Sequence, residues 1–502
     1  MKTHLVFAVM TLALLLFVIS QTNRRTLTFD DVIRQARELS LQPFEPREPT
    51  GTKALREANY DELRDVRYKG DAMLWRDKGL PFQVSFFIAG GAHGSTPVTV
   101  FQVNRDGAKW VPYDPDLFAA AESSKLKPAD LEGAEFSGFR VYYPLNKSDH
   151  LDETLVFQGA SYYRPLARGQ TWGISARGIC VDTLGKEEFP AFTTFWLVEP
   201  TPGSNELLIY ALLDGPSVTG AYEFRVQPGD ETRIRVHAML FPRKNVKDVG
   251  FAPLTSMYWF GENTSNTFGD FRPEVHDSDG LQILHSSGEW IWRPLAWAQQ
   301  RQINIYADTD PGGFGLFQRD RDFSHYQDLE ANYHQRPSVW IQPEGDWGAG
   351  EVVLMQNPTD SEYVDNVVAY WRPKDGLEKG RAIELKYTTV AFTENAGLPP
   401  IGRCVSTRID YQNEKYFRKI FIDFAGGELA ALPEDANLKP VISAGEGGEI
   451  SHVRLQKNPN DNTWRLAFTV STSNSHNPVE MRCALVLDDR PVTETWDYTW
   501  VK

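Results

Sequence analysis

The chain has 502 residues and a formal net charge of −15 at pH 7. This length allows two or three domains with a large hydrophobic core. The acidic balance argues against nucleic-acid binding, which requires a basic surface, and against anchoring on anionic lipid.

The N-terminus has the pattern of a secretory signal peptide. Lys2 precedes a mostly apolar run from Leu5 to Ile19, and polar residues follow from Ser20. A positive charge ahead of a short apolar run is typical of export signals. We therefore predict a signal peptide over residues 1–21, cleaved close to Ser20. An uncleaved membrane anchor is the less favoured alternative, because the run is short for a spanning helix.

Helical patterns are confined to the start of the mature chain. Thr28 is predicted to cap a helix in which Val32, Ala36 and Leu39 share one face. A second short helix is predicted near Thr52. Beyond these two segments, the sequence favours strands and turns.

From Pro81 onward, the sequence predicts one strand after another. In the segment 232–238, Ile234 and Val236 alternate with charged residues, which indicates an antiparallel sheet with one solvated face. The stretch 323–336 has no clear period and is predicted to be a polar, aromatic loop. Loops of this kind on a rigid sheet often carry functional residues.

The segment 392–403 is predicted to be a linker, because it combines a glycine with a proline pair and has no periodicity. Residues 404–502 then hold about seven short strand patterns, a number and size that fit an immunoglobulin-like β-sandwich. We therefore predict an all-β chain with a large domain over residues 22–391 and a small one over residues 404–502.

The segment 257–295 is rich in aromatic and carboxylate side chains. Sugar rings pack their C–H faces on aromatic planes, while their hydroxyls hydrogen-bond to charged groups. The segment is therefore a candidate carbohydrate site. Its candidate binding residues are Tyr258, Glu274, Asp279, Trp290, Trp292 and Arg293. The alternative is a β-hairpin with ordinary core tryptophans and a solvated acidic turn.

The three cysteines are too few for a disulfide framework. Two alternatives stay open at this point. Cys404 and Cys483 form one disulfide, or they and Cys180 are all buried thiols.

Metal and cofactor chemistry have little support in the sequence. The ligand spacings of zinc sites are absent. In the run EVHDSD, strand alternation directs Asp277 and Asp279 to the face opposite Glu274, which disfavours a calcium site. We expect no metal and no cofactor.

Carboxylates are the remaining candidates for catalysis. Glycoside hydrolysis needs one protonated acid beside the leaving oxygen and one carboxylate that activates water or attacks carbon. The segments 257–295 and 358–366 offer several carboxylates, and their spacing alone does not pair them.

Long composite motifs run from Thr28 to the C-terminus. They include TFDDVIRQARELS, EFPAFTTFWLVEP, LTSMYWFGE, FRPEVHDSDGL, GEWIWRPL, FSHYQDLEANYHQRP and YVDNVVAYW. In these stretches the chain resembles the periplasmic glucans biosynthesis family, the OpgG and OpgD proteins, also called MdoG. The likeness covers essentially the whole mature chain and is more specific than any short motif.

The resemblance implies a fold and a function. The fold is a large N-terminal β-supersandwich, similar to galactose-mutarotase-like domains, followed by a small immunoglobulin-like domain. The function is synthesis of osmoregulated glucans in the periplasm of a Gram-negative bacterium. Members are inverting β-1,2-glucanases or use the same site for transglycosylation. The implied partners are β-1,2-glucan chains and the inner-membrane glucosyltransferase that makes them.

The resemblance also carries roles onto residues of this sequence. Asp365, in YVDN, matches the general acid of the family, and Asp277, in HDSD, matches its general base. The base reaches the attacking water through a relay that includes a substrate hydroxyl. Tyr333, in ANYHQRP, matches a tyrosine near this site. Tyr326, in the same aromatic stretch, is a further expected binding residue.

The two aspartates need different protonation states, and the sequence suggests how each is maintained. Asp365 must hold a proton when the glucan binds, and we expect burial against Tyr363 and Val367 to favour that form. Asp277 must stay ionised, and Arg272 is its expected partner. Both aspartates are expected to line one groove of the N-terminal domain.

Two other functions stay open. A non-catalytic glucan-binding factor would need the aromatic groove but not both carboxylates. A mutarotase-like epimerase fits the implied fold, although no motif supports it.

Overall fold

The structure is a computed structural model that describes residues 27–91, 96–264, 269–395, 397–411, 416–472 and 478–501. The predicted signal peptide lies outside the described residues. Within these ranges, every helix is too short or too polar to cross a membrane.

Helices are few and short in the part of the chain that the structure describes. The α-helices, numbered in chain order, are α1 Phe29–Ser40, α2 Lys53–Glu57, α3 Tyr60–Arg64 and α4 Phe323–Tyr326. Single turns of 3-10 helix occur at Gly70–Ala72, Arg76–Lys78, Pro115–Leu117, Pro128–Leu131, Tyr333–Gln335 and Leu429–Ala431. The helices predicted after Thr28 and Thr52 are confirmed. The stretch 323–336, predicted as a loop, contains α4 and one of these turns.

The first large sheet has ten strands, again numbered in chain order, and its neighbours are antiparallel. Its order is β2 Gln83–Ile88, β6 Phe136–Tyr143, β7 Asp152–Gln158, β8 Tyr162–Pro165, β9 Ser175–Arg177, β15 Val249–Ser256, β24 Val367–Pro373, β23 Ala349–Gln356 and β20 Gln302–Thr309, with β10 Ile179–Val181 also on β15.

The second large sheet has fifteen strands. Its order is β28 Leu438–Ala444, β31 Val479–Leu487, β33 Thr495–Trp500, β19 Trp290–Pro294, β18 Gly280–Leu284, β21 Gly313–Phe317, β22 Ser338–Glu344, β25 Ile383–Phe392, β14 Glu231–Pro242, β13 Val218–Gln227, β12 Leu207–Asp214, β11 Ala191–Val198, β3 Thr99–Asn104 and β4 Gly107–Trp110, with β32 Arg490–Pro491 on β31.

Three smaller sheets complete the fold. A four-stranded sheet has the order β26 Arg403–Asp410, β27 Phe417–Ala425, β30 Trp464–Thr472 and β29 Gly448–Lys457. The two-stranded sheets are β1 Val66–Tyr68 with β5 Phe118–Ala120, and β16 Tyr258–Phe260 with β17 Val275–His276. The chain is thus mostly β, as predicted.

The main hydrophobic core draws side chains from both large sheets. On β14, Ile234 and Val236 are buried in it, whereas Arg233 and Arg235 are exposed. The alternation read from the sequence is therefore confirmed for this strand, since successive side chains of a strand point to opposite faces.

The C-terminal part of the chain extends the larger sheet. Strand β33 pairs in parallel with β19, and Trp292 stands opposite Trp496 in that pair. Both tryptophans belong to a second hydrophobic cluster that joins β19 to the C-terminal strands. This cluster also buries Cys404 and Cys483, which are free thiols, as is Cys180. The disulfide alternative is therefore wrong for this structure.

Candidate active site

The candidate site lies at one end of the neighbouring strands β9, β15 and β24 in the ten-stranded sheet. Ser256, at the end of β15, pairs with Val367, at the start of β24. Thr255 pairs with Ser175, at the start of β9. Asp365 therefore stands beside the end of β15, from which the chain continues into β16.

The side chain of Asn366 joins the loop of Asp365 to the strands that carry Asp277. It accepts a hydrogen bond from the backbone N–H of Tyr258 and donates one to the carbonyl of Tyr258, both at 2.9 Å. Tyr258 pairs with His276, the neighbour of Asp277, across β16 and β17. Sequence reasoning missed Asn366, although it directly follows the nominated acid in YVDN.

Asp277 is a buried carboxylate with an incomplete set of partners. Its Oδ1 lies 3.3 Å from Nη1 of Arg336, yet it accepts no hydrogen bond from the described residues. Burial raises the pKa of Asp277, Arg336 lowers it, and the nearby charge of Asp365 raises it again. The two nominated aspartates are therefore close enough to act on each other.

Arg272 was expected to be the partner of Asp277, and this expectation is wrong. Arg272 instead contacts Asp270, Asp328 and Glu362 at 2.7–2.8 Å. Those three carboxylates occupy its guanidinium, so the positive charge beside Asp277 comes from Arg336. The motif ANYHQRP contains Arg336, three residues after Tyr333, and this motif could have nominated it.

Asp365 is not buried, contrary to expectation. Its side chain is 43% exposed, and its nearest cation is Arg164, with Nη2 at 3.9 Å from Oδ2. The loop before β24 runs along the surface, and Tyr363 is 90% exposed. Sequence reasoning missed Arg164 because only the pairing of β8 with β9 brings it to this edge.

Tyr326 and Tyr333 lie in a buried polar cluster next to Asp277. The amide of Gln318 donates to the hydroxyl of Tyr326 at 3.0 Å and to the carbonyl of Tyr333 at 3.1 Å. The hydroxyl of Tyr333 donates to Glu362, and the guanidinium of Arg336 lies 4.9 Å from the Tyr333 ring. Burial and the Glu362 carboxylate both raise the pKa of Tyr333.

Glu274, His276 and Asp279 form a charged cluster on the other side of the strand. Nε2 of His276 lies 2.9 Å from Glu274 and 3.7 Å from Asp279. Burial disfavours the imidazolium, but the two carboxylates outweigh it and raise the pKa of His276 to about 9. The predicted separation of Asp279 from Glu274 is wrong, because β17 ends at His276 and the chain bends before β18.

The same cluster holds ligand atoms of the type that bind metals. Those of Glu274, His276 and Asp279 lie within 4.8 Å of one another. Nδ1 of His276 is bonded to Gln318 at 3.0 Å, and Nε2 already faces Glu274. Internal ion pairs and hydrogen bonds account for this arrangement, so it carries no metal assignment.

The remaining predicted binding residues are not exposed as sugar platforms. Tyr258 is buried and stacks on His276 at 5.2 Å. Trp290 stacks on Trp340 at 5.8 Å in the second cluster. Both rings thus have aromatic packing partners, and Tyr258 also lines a small cavity with Glu274, Asp279 and Trp292.

Trp292 and Arg293 face the C-terminal strands. The guanidinium of Arg319 lies 3.5 Å from the Trp292 ring. Arg293 is buried and donates to Asp497 at 2.8 Å and to Thr499 at 2.6 Å. Arg293 therefore has its charged partner on a C-terminal strand.

Comparison with known proteins identifies the family of this chain. The family described as "Periplasmic glucan biosynthesis protein, MdoG" matches residues 27–500. A protein of Ralstonia nicotianae named "Glucans biosynthesis protein G" is 41% identical over 480 residues, covering 93% of this chain and 95% of that protein. Proteins of the same name from Vibrio cholerae and Shewanella frigidimarina are 40% and 39% identical over 478 residues; each alignment covers 94% of this chain, and 86% and 84% of those proteins. The chain therefore belongs to the periplasmic glucan biosynthesis protein MdoG family.

Proposed function

We propose that this protein acts on the β-1,2-linked backbone of osmoregulated periplasmic glucans, as an inverting glucanase or transglycosylase. Family membership supports a role in periplasmic glucan biosynthesis. The same proposal makes β-1,2-glucan chains its substrate and the inner-membrane glucosyltransferase their source. It also has the chain exported to the periplasm of a Gram-negative bacterium by a cleaved signal peptide.

The observation that carries this proposal is the unlike surroundings of two nearby carboxylates. Asp277 is buried beside Arg336, whereas Asp365 is 43% exposed at the surface. Two carboxylates held in different environments can take different protonation states, as an acid and a base must. Oδ1 of Asp277 accepts no hydrogen bond from the described residues, so a water or a sugar hydroxyl that reaches it would find an unused acceptor.

In the proposed mechanism, Asp365 protonates the leaving glycosidic oxygen. A bound glucan would cover Asp365 and exclude water from it, which favours the protonated acid. Asp277 removes the proton of the attacking water through a substrate hydroxyl, and Arg336 helps to keep it ionised. Tyr333 lies beside Arg336 and helps to hold this arrangement. Water attacks from the face opposite the leaving group, so the anomeric configuration inverts.

The runner-up is a non-catalytic glucan-binding factor. The exposure of Asp365 favours it, because the free protein lacks the apolar surroundings expected of a general acid. Such a factor would hold chains made by the glucosyltransferase without cleaving them.

We also propose the finer architecture that the family resemblance implies. Residues 22–391 form a β-supersandwich, residues 392–403 a linker, and residues 404–502 an immunoglobulin-like domain. Support comes from the four-stranded sheet of β26, β27, β30 and β29, which shares a hydrophobic cluster with β28, β31 and β33.

The test is incubation of the mature protein with linear β-1,2-glucan, followed by chromatography and NMR of the first products. Shorter or cyclised chains with inverted anomeric configuration are expected. Retained configuration would contradict the mechanism. Tight binding with no change of chain length would favour the binding factor instead.

A further inference from the structure

Three large apolar side chains stand almost fully in water beside the candidate site. Phe271 is 75% exposed, Leu329 is 82% exposed and Tyr363 is 90% exposed. They come from three different loops, which precede β17, follow α4 and precede β24. A single exposed apolar residue needs no explanation, but three on loops that one ion-pair cluster ties together form a surface that can take a ligand.

A buried ion-pair cluster brings these three loops together. Nη1 of Arg272 contacts Asp328 at 2.7 Å and Glu362 at 2.8 Å. Its Nη2 contacts Asp270 at 2.7 Å. The guanidinium of Arg272 thus binds three carboxylates, one from each loop. These ion pairs restrict the movement of the loops.

Each exposed side chain is the sequence neighbour of a member of this cluster. Phe271 precedes Arg272, Leu329 follows Asp328, and Tyr363 follows Glu362. The cluster therefore fixes the bases of all three loops while their apolar side chains point into water. We call Phe271, Leu329 and Tyr363 the apolar rim.

The apolar rim is continuous with the candidate active site. Tyr363 lies two residues before Asp365 on the same loop. On the other side, Glu362 accepts a hydrogen bond from the hydroxyl of Tyr333, whose ring lies against Arg336. The rim thus adjoins the candidate site through the loop that carries Tyr363 and through the hydrogen bond of Tyr333 to Glu362.

We propose that the apolar rim is a binding subsite for glucosyl residues of the glucan chain, and that Arg272 is the positioning residue that assembles it. This inference rests on the proposed function, since the occupant is the same glucan. Pyranose C–H faces pack on the rings of Phe271 and Tyr363 and on Leu329. The cluster beneath keeps the three side chains at fixed spacing, so less freedom is lost on binding.

The test measures binding without turnover. Asp365→Asn serves as the parent, and calorimetry with linear β-1,2-glucan oligosaccharides gives its affinity. Phe271→Ala and Tyr363→Ala, added to that parent, are each expected to weaken binding about three- to tenfold. Trp110→Ala is the matched control, because Trp110 is an aromatic residue 58% exposed on β4 and outside the cluster.

Arg272→Lys separates positioning from charge. Lysine keeps the positive charge but lacks the planar fork that holds several carboxylates. Binding should weaken at least as much as in the single rim variants, while circular dichroism shows a folded protein. Leu329→Ala and Phe271→Ala should then have little further effect in the Arg272→Lys background.

The outcomes distinguish the two proposals. Rim variants that bind as tightly as Trp110→Ala overturn the subsite, and they leave the proposed function standing. A parent and a wild-type protein that both fail to bind β-1,2-glucan overturn the proposed function as well. Rim variants that lose binding only because they unfold are recognised by their spectra. In that case Phe271→Leu and Tyr363→Leu replace the alanine variants, because leucine keeps apolar bulk but lacks the ring. If these leucine variants fold and still bind glucan as tightly as the parent, the subsite is overturned.

Discussion

Nη1 of Arg336 lies 3.3 Å from Oδ1 of Asp277, and both side chains are largely shielded from solvent. Burial alone would favour the protonated form of this aspartate, and Arg336 opposes that effect. The protonation state of the proposed base therefore depends on neighbouring cations, of which Arg336 has the largest effect.

The first prediction concerns that cation. Arg336→Gln removes the positive charge and so raises the pKa of Asp277 further. Since a base must be ionised, the acidic limb of the pH–activity profile should move to higher pH. Arg336→Lys, which keeps the charge, is the control and should move the limb less. An acidic limb unchanged in Arg336→Gln would show that Asp277 does not set it.

The second prediction concerns the proposed acid. Asp365→Asn should lower turnover of β-1,2-glucan by about a hundredfold or more, because the amide cannot donate the proton. Affinity for the glucan should stay near that of the wild type, as the amide has the same shape. Asp375→Asn, at another exposed aspartate, should have no effect on turnover. Wild-type turnover in Asp365→Asn would refute the assignment.

The third prediction concerns the stability contributed by His276. Its pKa is about 9 in the folded protein, above the value of about 6.5 for an unperturbed histidine. Protonation therefore stabilises the fold fully below about pH 6.5, and this contribution is lost as pH rises through about 9. In the limit it amounts to about 3 kcal/mol.

Urea unfolding at pH 6 and at pH 9.5 measures this effect. The free energy of unfolding of the wild type should fall over this range, and His276→Gln should show a smaller fall. His150→Gln, at an exposed histidine, is the control and should behave as the wild type. Equal pH slopes in His276→Gln and wild type would contradict the ion-pair account.

The fourth prediction concerns Arg293, which the sequence nominated for sugar binding. Arg293→Met should destabilise the protein by about 3–5 kcal/mol, because it removes the cation closest to the buried Asp497 and leaves it the Tyr306 hydroxyl and the more distant Arg482. Glucan affinity of the folded protein should not change. Combining Arg293→Met with Asp497→Leu should restore part of the loss, since the buried carboxylate is then removed as well. A specific loss of glucan affinity at full stability would show that Arg293 takes part in glucan binding.

The fifth prediction concerns export. Mass spectrometry of the periplasmic fraction should find a mature chain that begins close to residue 21. Replacing Leu14 and Leu15 by arginine should block export, because the apolar run is then interrupted. An intact N-terminus in the membrane fraction would favour the anchor.

Local rules explain what the sequence determined. Strand patterns such as that of 232–238 depend on neighbours two residues apart, so they can be read directly and were right for β14. The cap of α1 is equally local, since Thr28 and Asp31 lie within one turn. Long motifs also identified the family, which the comparisons confirm.

Only the tertiary structure decided which side chains face one another. Arg336, Asn366 and Glu362 acquire their roles through contacts with residues far away in the chain, and no period marks such contacts. Composition made 257–295 look like one sugar site, yet the parallel pairing of β19 with β33 buries Trp292 against the C-terminal strands. Burial of a side chain depends on the strand that covers it, and here that strand begins about two hundred residues later.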